Sequence, residues 1–147
     1  MAIHKIMCPV DFSDHSREAL RVAAERARAS SAPLVLVHTW WPPMVGEFQF
    51  APVTMQGMVE SEQRELASWT ALASELGAPQ VETRFLTGAP WDQIVKLAQD
   101  DLSIDLIVMG THGRTGLTHA LLGSVAEKVV RHAPCAVLVV RGKQPRS

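Results

Sequence analysis

Residues 105–116 of the chain read DLIVMGTHGRTG. The apolar run from Leu106 to Met109 is followed at once by a segment that holds three glycines in seven positions. A strand covered by helices on both faces has such a run, because neither face can carry polar side chains. Glycines in the following turn permit unusual backbone angles and let a ligand touch the main chain. The stretch therefore predicts a buried parallel strand that ends in a candidate binding loop.

Working outward from this stretch, four other segments also read as short strands. They are Ile3 to Val10, Leu34 to His38, Val81 to Leu86 and Ala136 to Val140. Four helical patterns lie between the strands. The first begins near Ser13 or Asp14 and fades around Ser30, the second runs from about Met55 to Leu76, the third runs from Pro90 to Leu102, and the fourth starts at Gly123 and Ser124 and stops before Pro134. Alternating strands and helices predict an α/β protein: an open, twisted parallel sheet with helices on both faces.

Each of the first three helical patterns predicts a buried stripe. The predicted core positions are Leu20, Ala23, Ala24 and Ala27 in the first, Met55, Met58, Val59, Leu66, Trp69, Ala73 and Leu76 in the second, and Trp91, Ile94, Val95, Ala98 and Leu102 in the third. The spacing in all three matches one face of a helix. We expect these faces to pack on the sheet.

Length and composition are those of one ordinary globular unit. The chain has 147 residues, 47% of them apolar and 20% charged, so we expect a single domain over 1–147 with a flexible tail at 141–147. No apolar run approaches the ~20 residues that span a bilayer, and no signal peptide is recognisable, which predicts a cytoplasmic protein without a membrane partner. Cys8 and Cys135 are expected to be buried free thiols.

Charge is unevenly distributed along the chain. Residues 1–109 hold 8 Lys/Arg and 14 Asp/Glu, whereas residues 110–147 hold 6 and 1. A locally basic last quarter suits a small anionic ligand, although solvated surface charge alone would produce the same count. A nucleic-acid footprint would be stronger, so we expect no nucleic-acid partner.

The turn after the first strand, PVDFS at Pro9 to Ser13, contains no glycine. That absence argues against a dinucleotide-binding Rossmann fingerprint, and a Walker A sequence is also missing. The glycines instead follow the fourth strand and form the pattern GxxGx9GS: Gly110, Gly113, Gly123 and Ser124. Main-chain N–H groups of such a loop, together with the start of the last helix, predict a phosphate cradle.

With this pattern the chain resembles the universal stress protein family, in its ATP-binding branch. The resemblance extends from KIMCPVDFSDHSREAL through LVLVH, GAPWDQIVKLA and DLIVMGTHGRTG to LLGSVAEKVVRHAPCAVLVVR. It implies a Rossmann-like sheet of five parallel strands in the order 3-2-1-4-5, similar to the adenine nucleotide alpha hydrolases. It also implies an adenine nucleotide between the ends of the first and fourth strands.

The resemblance assigns roles to particular positions. Pro9, Val10 and Asp11 would border the adenosine, with Asp11 its polar contact, and Val37 would lie against the base. Met109 and Gly110 would approach the ribose, while Gly113, Gly123, Ser124 and Val125 would hold the phosphates. Arg114 and His112 would add charge or donors from within the loop. The equal alternative is that both are solvated loop residues without a ligand contact. The cofactor would be ATP, with Mg²⁺ or Mn²⁺ held by its phosphates, and no protein metal ligands or catalytic residues are assigned.

Two classes of function follow from this assignment. A nucleotide-dependent regulatory module of the stress response, acting on a protein partner that the sequence does not identify, needs no catalytic machinery. The alternative is a slow ATPase or phosphoryl-transfer enzyme that uses Asp11 as metal ligand or base and His112 as acid or base. The sequence offers no nucleophile elbow and no catalytic-loop signature, so the regulatory module is favoured.

Two expectations concern surfaces. Ala136 to Val140 is wholly apolar but lies at a sheet edge, which predicts a homodimer formed through this last strand, as the resembled family also implies. The irregular segment Thr39 to Thr54 is unusually aromatic. Its Trp40, Trp41, Phe48 and Phe50 predict either a flap over the adenine or a plainly packed loop.

Overall fold

Five parallel strands form one sheet in the order β3-β2-β1-β4-β5, in a computed structural model that describes residues 2–41, 52–112 and 122–142. The strands are β1 (Ile6–Pro9), β2 (Leu34–Trp40), β3 (Val81–Thr87), β4 (Leu106–Gly110) and β5 (Ala136–Val140). The helices are α1 (Asp14–Ser30), α2 (Pro52–Glu75), α3 (Pro90–Asp100) and α4 (Ser124–His132). The predicted α/β class and strand order are confirmed.

Two apolar layers enclose the sheet, one on each face. Ile6, Cys8, Leu34, Leu36 and Val108 pack with α1 and α2 on one face. On the other face, Met7, Val35, Val37, Ile107 and Met109 pack with α3 and α4. The alternation along each strand explains the continuous apolar runs, because successive side chains enter opposite layers.

The register between neighbouring strands places the carboxyl ends of β1, β2 and β4 at the same edge of the sheet. β1 pairs with β2 from Ile6 opposite Leu34, and with β4 from Ile6 opposite Leu106. The strand order reverses between β1 and β4, so the carboxyl ends of these strands border the crevice in which open α/β sheets bind ligands.

Several sequence predictions need correction. β1 begins at Ile6 rather than Ile3, and β2 continues through Thr39 and Trp40. α3 ends at Asp100, so Leu102 leaves the predicted stripe and is 83% exposed. Cys8 is buried as predicted, and burial raises the pKa of its thiol, whereas Cys135 is only half-buried.

The second helix departs most from its predicted core face. Leu66, Trp69 and Ala73 are buried as the spacing predicts, but Met55, Met58 and Val59 are only partly covered. Helical spacing identifies the inward side of a helix without saying what lies opposite it. Met58 lines a cavity rather than the core.

The structure describes residues 141 and 142, which the sequence predicts to be the start of a flexible tail. Gly142 is buried, and its N–H donates to His15 Nδ1 at 2.8 Å. Residues 143–147 lie outside the described part of the chain. Within the described part, no helix combines the length and apolar character that crossing a bilayer requires.

Candidate functional site

A cavity of about 720 Å³ opens at the carboxyl ends of β1, β2 and β4. That volume falls within the range of small-molecule sites. Strand ends and the first turn of α4 form most of the wall, and α2 closes one side of it with Met58 and Glu62. The cavity thus lies at the reversal of strand order, where the topology predicts it.

Nine of the eleven residues assigned to nucleotide binding line this one cavity. They are Pro9, Val10, Asp11, Val37, Met109, Gly110, Gly123, Ser124 and Val125. The other two, Gly113 and Arg114, lie outside the described residues, as do Phe48 and Phe50 of the aromatic segment. Trp40 and Trp41 also line the cavity, and Trp41 is 63% exposed.

The turn between β1 and α1 holds Asp11 in a defined position. Its Oδ1 accepts the N–H of Ser13 at 3.0 Å, and its own N–H donates to Ser16 Oγ at 3.3 Å. Ser13 caps α1 by accepting the N–H of Ser16 at 3.2 Å. The intervening Phe12 has a φ of 67°, a left-handed conformation that non-glycine residues adopt rarely. The PVDFS turn therefore replaces the glycine turn of dinucleotide sites with a rigid, serine-capped one.

At the end of β4, Gly110 makes a close backbone contact. A Cβ on Gly110 would lie 2.8 Å from the carbonyl carbon of His15 in the first turn of α1. Real Cβ atoms do not approach so closely, so the first turn of α1 requires glycine here irrespective of any ligand. The family resemblance assigns this glycine to the ribose, and the structure gives it a packing reason as well.

Thr111 and His112 continue from β4 into the cavity wall. The Thr111 hydroxyl lies 3.3 Å from His15 Nδ1 and 3.2 Å from His112 Nδ1. Because His15 Nδ1 accepts the N–H of Gly142, it carries no proton, and its one lone pair is directed to that N–H. The threonine hydroxyl thus lies within hydrogen-bond distance of two ring nitrogens at the cavity wall.

The first turn of α4 faces the cavity with its backbone donors. Gly123 is the N-cap residue, and among the described residues no side chain caps this end of the helix. The N–H groups of Ser124, Val125 and Ala126 therefore have no partner within the helix, and the positive end of the helix dipole lies at the same place. All three residues line the cavity. This arrangement favours an anionic group such as a phosphate.

The charged side chains that the structure describes at the cavity are acidic. Among the described residues that line the cavity there is no lysine or arginine, and the carboxylates are Asp11 and Glu62. Within the basic last quarter, Lys128 lies over the ring of Trp91 and Arg131 pairs with Glu127. These two cations do not reach the cavity. Among the described groups, main-chain N–H donors therefore supply the attraction of the cavity for an anion.

Near the end of β2 lies a cavity residue for which the sequence pattern predicts no role. His38 is buried, with Nδ1 at 2.8 Å from the carbonyl oxygen of Val10 and Nε2 at 3.0 Å from Glu62 Oε2. Its position at the end of the apolar run LVLVH is the only sequence signal. Ser16, Thr111 and Glu62 also line the cavity without having been assigned. They are polar residues in a helix or loop, where nothing in the pattern distinguishes them from surface positions.

The architecture and the cavity together define an open parallel α/β protein with a ligand site at the reversal of its strand order. A protein-family model with the description "Universal stress protein family" matches residues 2–141 of the chain. The chain belongs to the universal stress protein family.

Curated relatives agree with this membership over nearly the whole chain. A universal stress protein of Methanocaldococcus jannaschii is 37% identical over 145 residues, which cover 93% of this chain and 81% of that protein. One from Thermus aquaticus is 36% identical over 138 residues, with coverage of 92% and 97%.

Solved structures with the same fold include nucleotide complexes. UspA from Lactobacillus plantarum has a TM-score of 0.80 at 26% identity, covering 96% of this chain and 99% of its own. A universal stress protein in complex with cAMP has a TM-score of 0.72 at 30% identity, with coverage of 97% and 100%. The protein from Archaeoglobus fulgidus in complex with dAMP has a TM-score of 0.68 at 28% identity, with coverage of 95% and 99%.

Proposed function

We propose that the cavity binds an adenine nucleotide, ATP in particular, and that the protein is a nucleotide-dependent regulatory module of the stress response. The observation that carries the proposal is the first turn of α4, whose backbone donors lie at the wall of a cavity of about 720 Å³ at the switch point of the sheet. Complexes of related proteins with cAMP and dAMP support the choice of adenine nucleotides.

The residues present fit the parts of a nucleotide. Apolar side chains such as Val37, Ile94 and Met109 line the cavity beside the strand ends and suit a base. Asp11 supplies a fixed carboxylate that suits a ribose hydroxyl, and the start of α4 suits phosphates. Triphosphate bound in this way would bring its own Mg²⁺ or Mn²⁺. The described residues contain no cluster of three or more His, Cys, Asp or Glu that could hold a metal ion.

Two measurements test the proposal. Protein purified without added nucleotide is denatured, and the released small molecules are identified by mass spectrometry, which we expect to yield an adenine nucleotide. Titration calorimetry with Mg-ATP, AMP and GTP then tests preference. We expect Ser124→Ala to weaken ATP binding by about 1 kcal/mol through loss of one hydroxyl contact, without affecting folding, because Ser124 is exposed and Gly123 provides the cap. Failure of every adenine nucleotide to bind contradicts the proposal.

Slow ATP hydrolysis is a second candidate because Asp11 and His112 line the same cavity. A multiple-turnover phosphate-release assay separates the two functions. A regulatory module stays near the background rate, whereas an enzyme shows turnover that Asp11→Asn or His112→Asn removes.

The proposal includes a homodimer in the cytoplasm, where ATP is available. β5 is an edge strand in the sheet order, and its residues are partly or fully exposed. Its outer row of N–H and C=O groups suits pairing with a second copy across a two-fold axis.

A further inference from the structure

His15, in the first turn of α1, fills the space between the end of β4 and the chain that follows β5. On one side, a Cβ on Gly110 would lie 2.8 Å from the Cβ of His15. On the other side, a Cβ on Gly142 would lie 2.9 Å from His15 Nδ1. A side chain at either glycine would therefore displace His15. The residue is tightly fitted between two segments that only the tertiary fold brings together.

One hydrogen bond holds residue 142 on the imidazole. Gly142 is buried, and its N–H donates to His15 Nδ1 at 2.8 Å. Because a buried N–H group that loses its acceptor costs free energy, the chain after β5 depends on this nitrogen for its position. The N-cap of the same helix, Ser13, donates its N–H to Asp11 Oδ1 at 3.0 Å. The chain after β5 is thus attached to the turn that also holds Asp11 at the cavity.

Thr111 connects the same region to the start of α4. Its N–H donates to the carbonyl oxygen of Val140 at 3.0 Å, and its own carbonyl oxygen accepts the N–H of Gly123 at 2.7 Å. Gly123 is the N-cap residue of α4, and a Cβ there would lie 3.1 Å from that carbonyl oxygen. The Thr111 hydroxyl lies 3.3 Å from His15 Nδ1. His15 therefore supports the residue against which the first turn of α4 is placed.

We propose that His15 is a positioning residue for the phosphate-binding turn of α4, and that its hydrogen bond with Gly142 couples the chain after β5 to nucleotide binding. This inference rests on the function proposed above. His15 is not among the described residues that line the cavity, so it acts through Thr111 and Gly123. Backbone donors bind a ligand well only when the surrounding residues hold them in the right geometry. Coupling between two sites is reciprocal, so bound phosphates also hold Gly142 on His15.

Two substitutions of His15 separate the acceptor from the volume of the side chain. His15→Leu keeps a branched side chain but removes the acceptor. In His15→Asn the amide oxygen is bonded to Cγ, as Nδ1 is in histidine, so this variant restores an acceptor for the N–H of Gly142. His4→Leu is the matched control, because His4 is an exposed histidine that precedes β1, at the end of the sheet opposite the cavity, and pairs with Asp105.

Calorimetry with Mg-ATP and with adenosine tests the positioning role. We expect His15→Leu to weaken Mg-ATP binding about fivefold or more, and to leave adenosine binding unchanged because adenosine has no phosphate to meet α4. His15→Asn should restore most of the Mg-ATP affinity, and His4→Leu should match the wild type. An equal loss for both ligands, or His15→Asn as weak as His15→Leu, overturns the positioning role alone. A wild type that binds neither ligand contradicts the proposed function and the positioning role together.

Two further measurements test the coupling from the side of Gly142. Gly142→Ala places a methyl group against His15 Nδ1, so it should weaken Mg-ATP binding as His15→Leu does. The two substitutions together should weaken it no further, since they break the same contact, and additive losses overturn the coupling. In the wild type alone, Mg-ATP should slow hydrogen exchange of the Gly142 amide, followed by nuclear magnetic resonance. An exchange rate that Mg-ATP leaves unchanged overturns the coupling, whether or not the variants fold.

Discussion

Thr111 connects several parts of the site by hydrogen bonds, although the pattern GxxGx9GS does not specify the residue at its position. Its N–H donates to the carbonyl of Val140 at 3.0 Å, and its own carbonyl accepts the N–H of Gly123 at 2.7 Å. Its hydroxyl contacts His15 and His112. One residue thus joins the end of β5, the cap of α4 and the start of α1. The glycine pattern predicts where the loop lies, but such hydrogen bonds depend on elements that are distant in sequence.

The close packing of Gly110 gives a test at the residue scale. Gly110→Ala should lower the free energy of unfolding by about 1–3 kcal/mol, because the new methyl group meets the backbone of His15. Urea denaturation without nucleotide measures the change. Gly57→Ala is the control, since a Cβ there has nothing within 4 Å. If Gly110→Ala is as stable as the wild type, the first turn of α1 moves at little energetic cost to make room for the methyl group.

Asp101 gives a test of pH dependence. Hydrogen bonds from Ser103 and then Lys5 lower the pKa of its carboxyl from 3.8 to about 2. A lowered pKa in the folded state means that this stabilisation is present above the unfolded value and is lost as pH falls from about 4 towards 2. Asp101→Asn should therefore destabilise the protein at neutral pH, and the difference from wild type should shrink across that window. Thermal melts at stepped pH measure it, and a difference that stays constant down to about pH 2 contradicts the assignment.

Among the elements, the sequence predicts where the helices begin and end better than it predicts what each helix face contacts. The apolar spacing of α1 identifies a true core face, because Leu20, Ala23, Ala24 and Ala27 are all buried. The same kind of spacing in α2 covers core at Leu66 and Trp69 but cavity at Met58. Periodicity reports which side is shielded from water, and a ligand cavity shields a side chain much as a core does.

The edge strand β5 gives a test of assembly. Val137 packs against the α3 and α4 layer, and Leu138 and Val140 pack against the other layer, but Val139 belongs to neither cluster. We expect Val139→Arg to shift the proposed dimer toward monomer in analytical ultracentrifugation while the fold survives, because the added charge disfavours edge pairing. Val130→Arg on α4, where the side chain is already 47% exposed, should leave the assembly unchanged. A dimer unaffected by Val139→Arg argues for another interface.

At the scale of the whole molecule, the sequence predicts the fold well because apolar runs and helix caps are local signals. Leu34 to His38 and Leu106 to Met109 identify their strands without reference to anything else. The contact between His38 and Glu62 joins positions 24 residues apart through the tertiary fold, and no pattern in either segment indicates it. Polar pairs of this kind emerge only when the elements are assembled.

Nucleotide binding should also stabilise the whole molecule. ATP at about 100 times its dissociation constant adds about 2.7 kcal/mol to the free energy of unfolding, which raises the melting temperature of a domain of this size by roughly 5–10 °C. We expect Gly113→Val to abolish the shift while leaving the circular dichroism spectrum native, because the family resemblance assigns Gly113 to the phosphates and a branched side chain keeps a ligand from touching the main chain. Differential scanning calorimetry with and without Mg-ATP measures this. A full shift in Gly113→Val contradicts the phosphate cradle.

The central position of β1 has a consequence for how the chain acquires its structure. Ile6, near the start of the chain, pairs on one side with Leu34 and on the other with Leu106, a hundred residues further along. Contacts that close such long loops are slow to form. On the ribosome, the first strand must wait with one edge unpaired until β4, about a hundred residues further along, has been synthesised. The strand that anchors the finished sheet is thus the one exposed longest to chaperones and to misfolding.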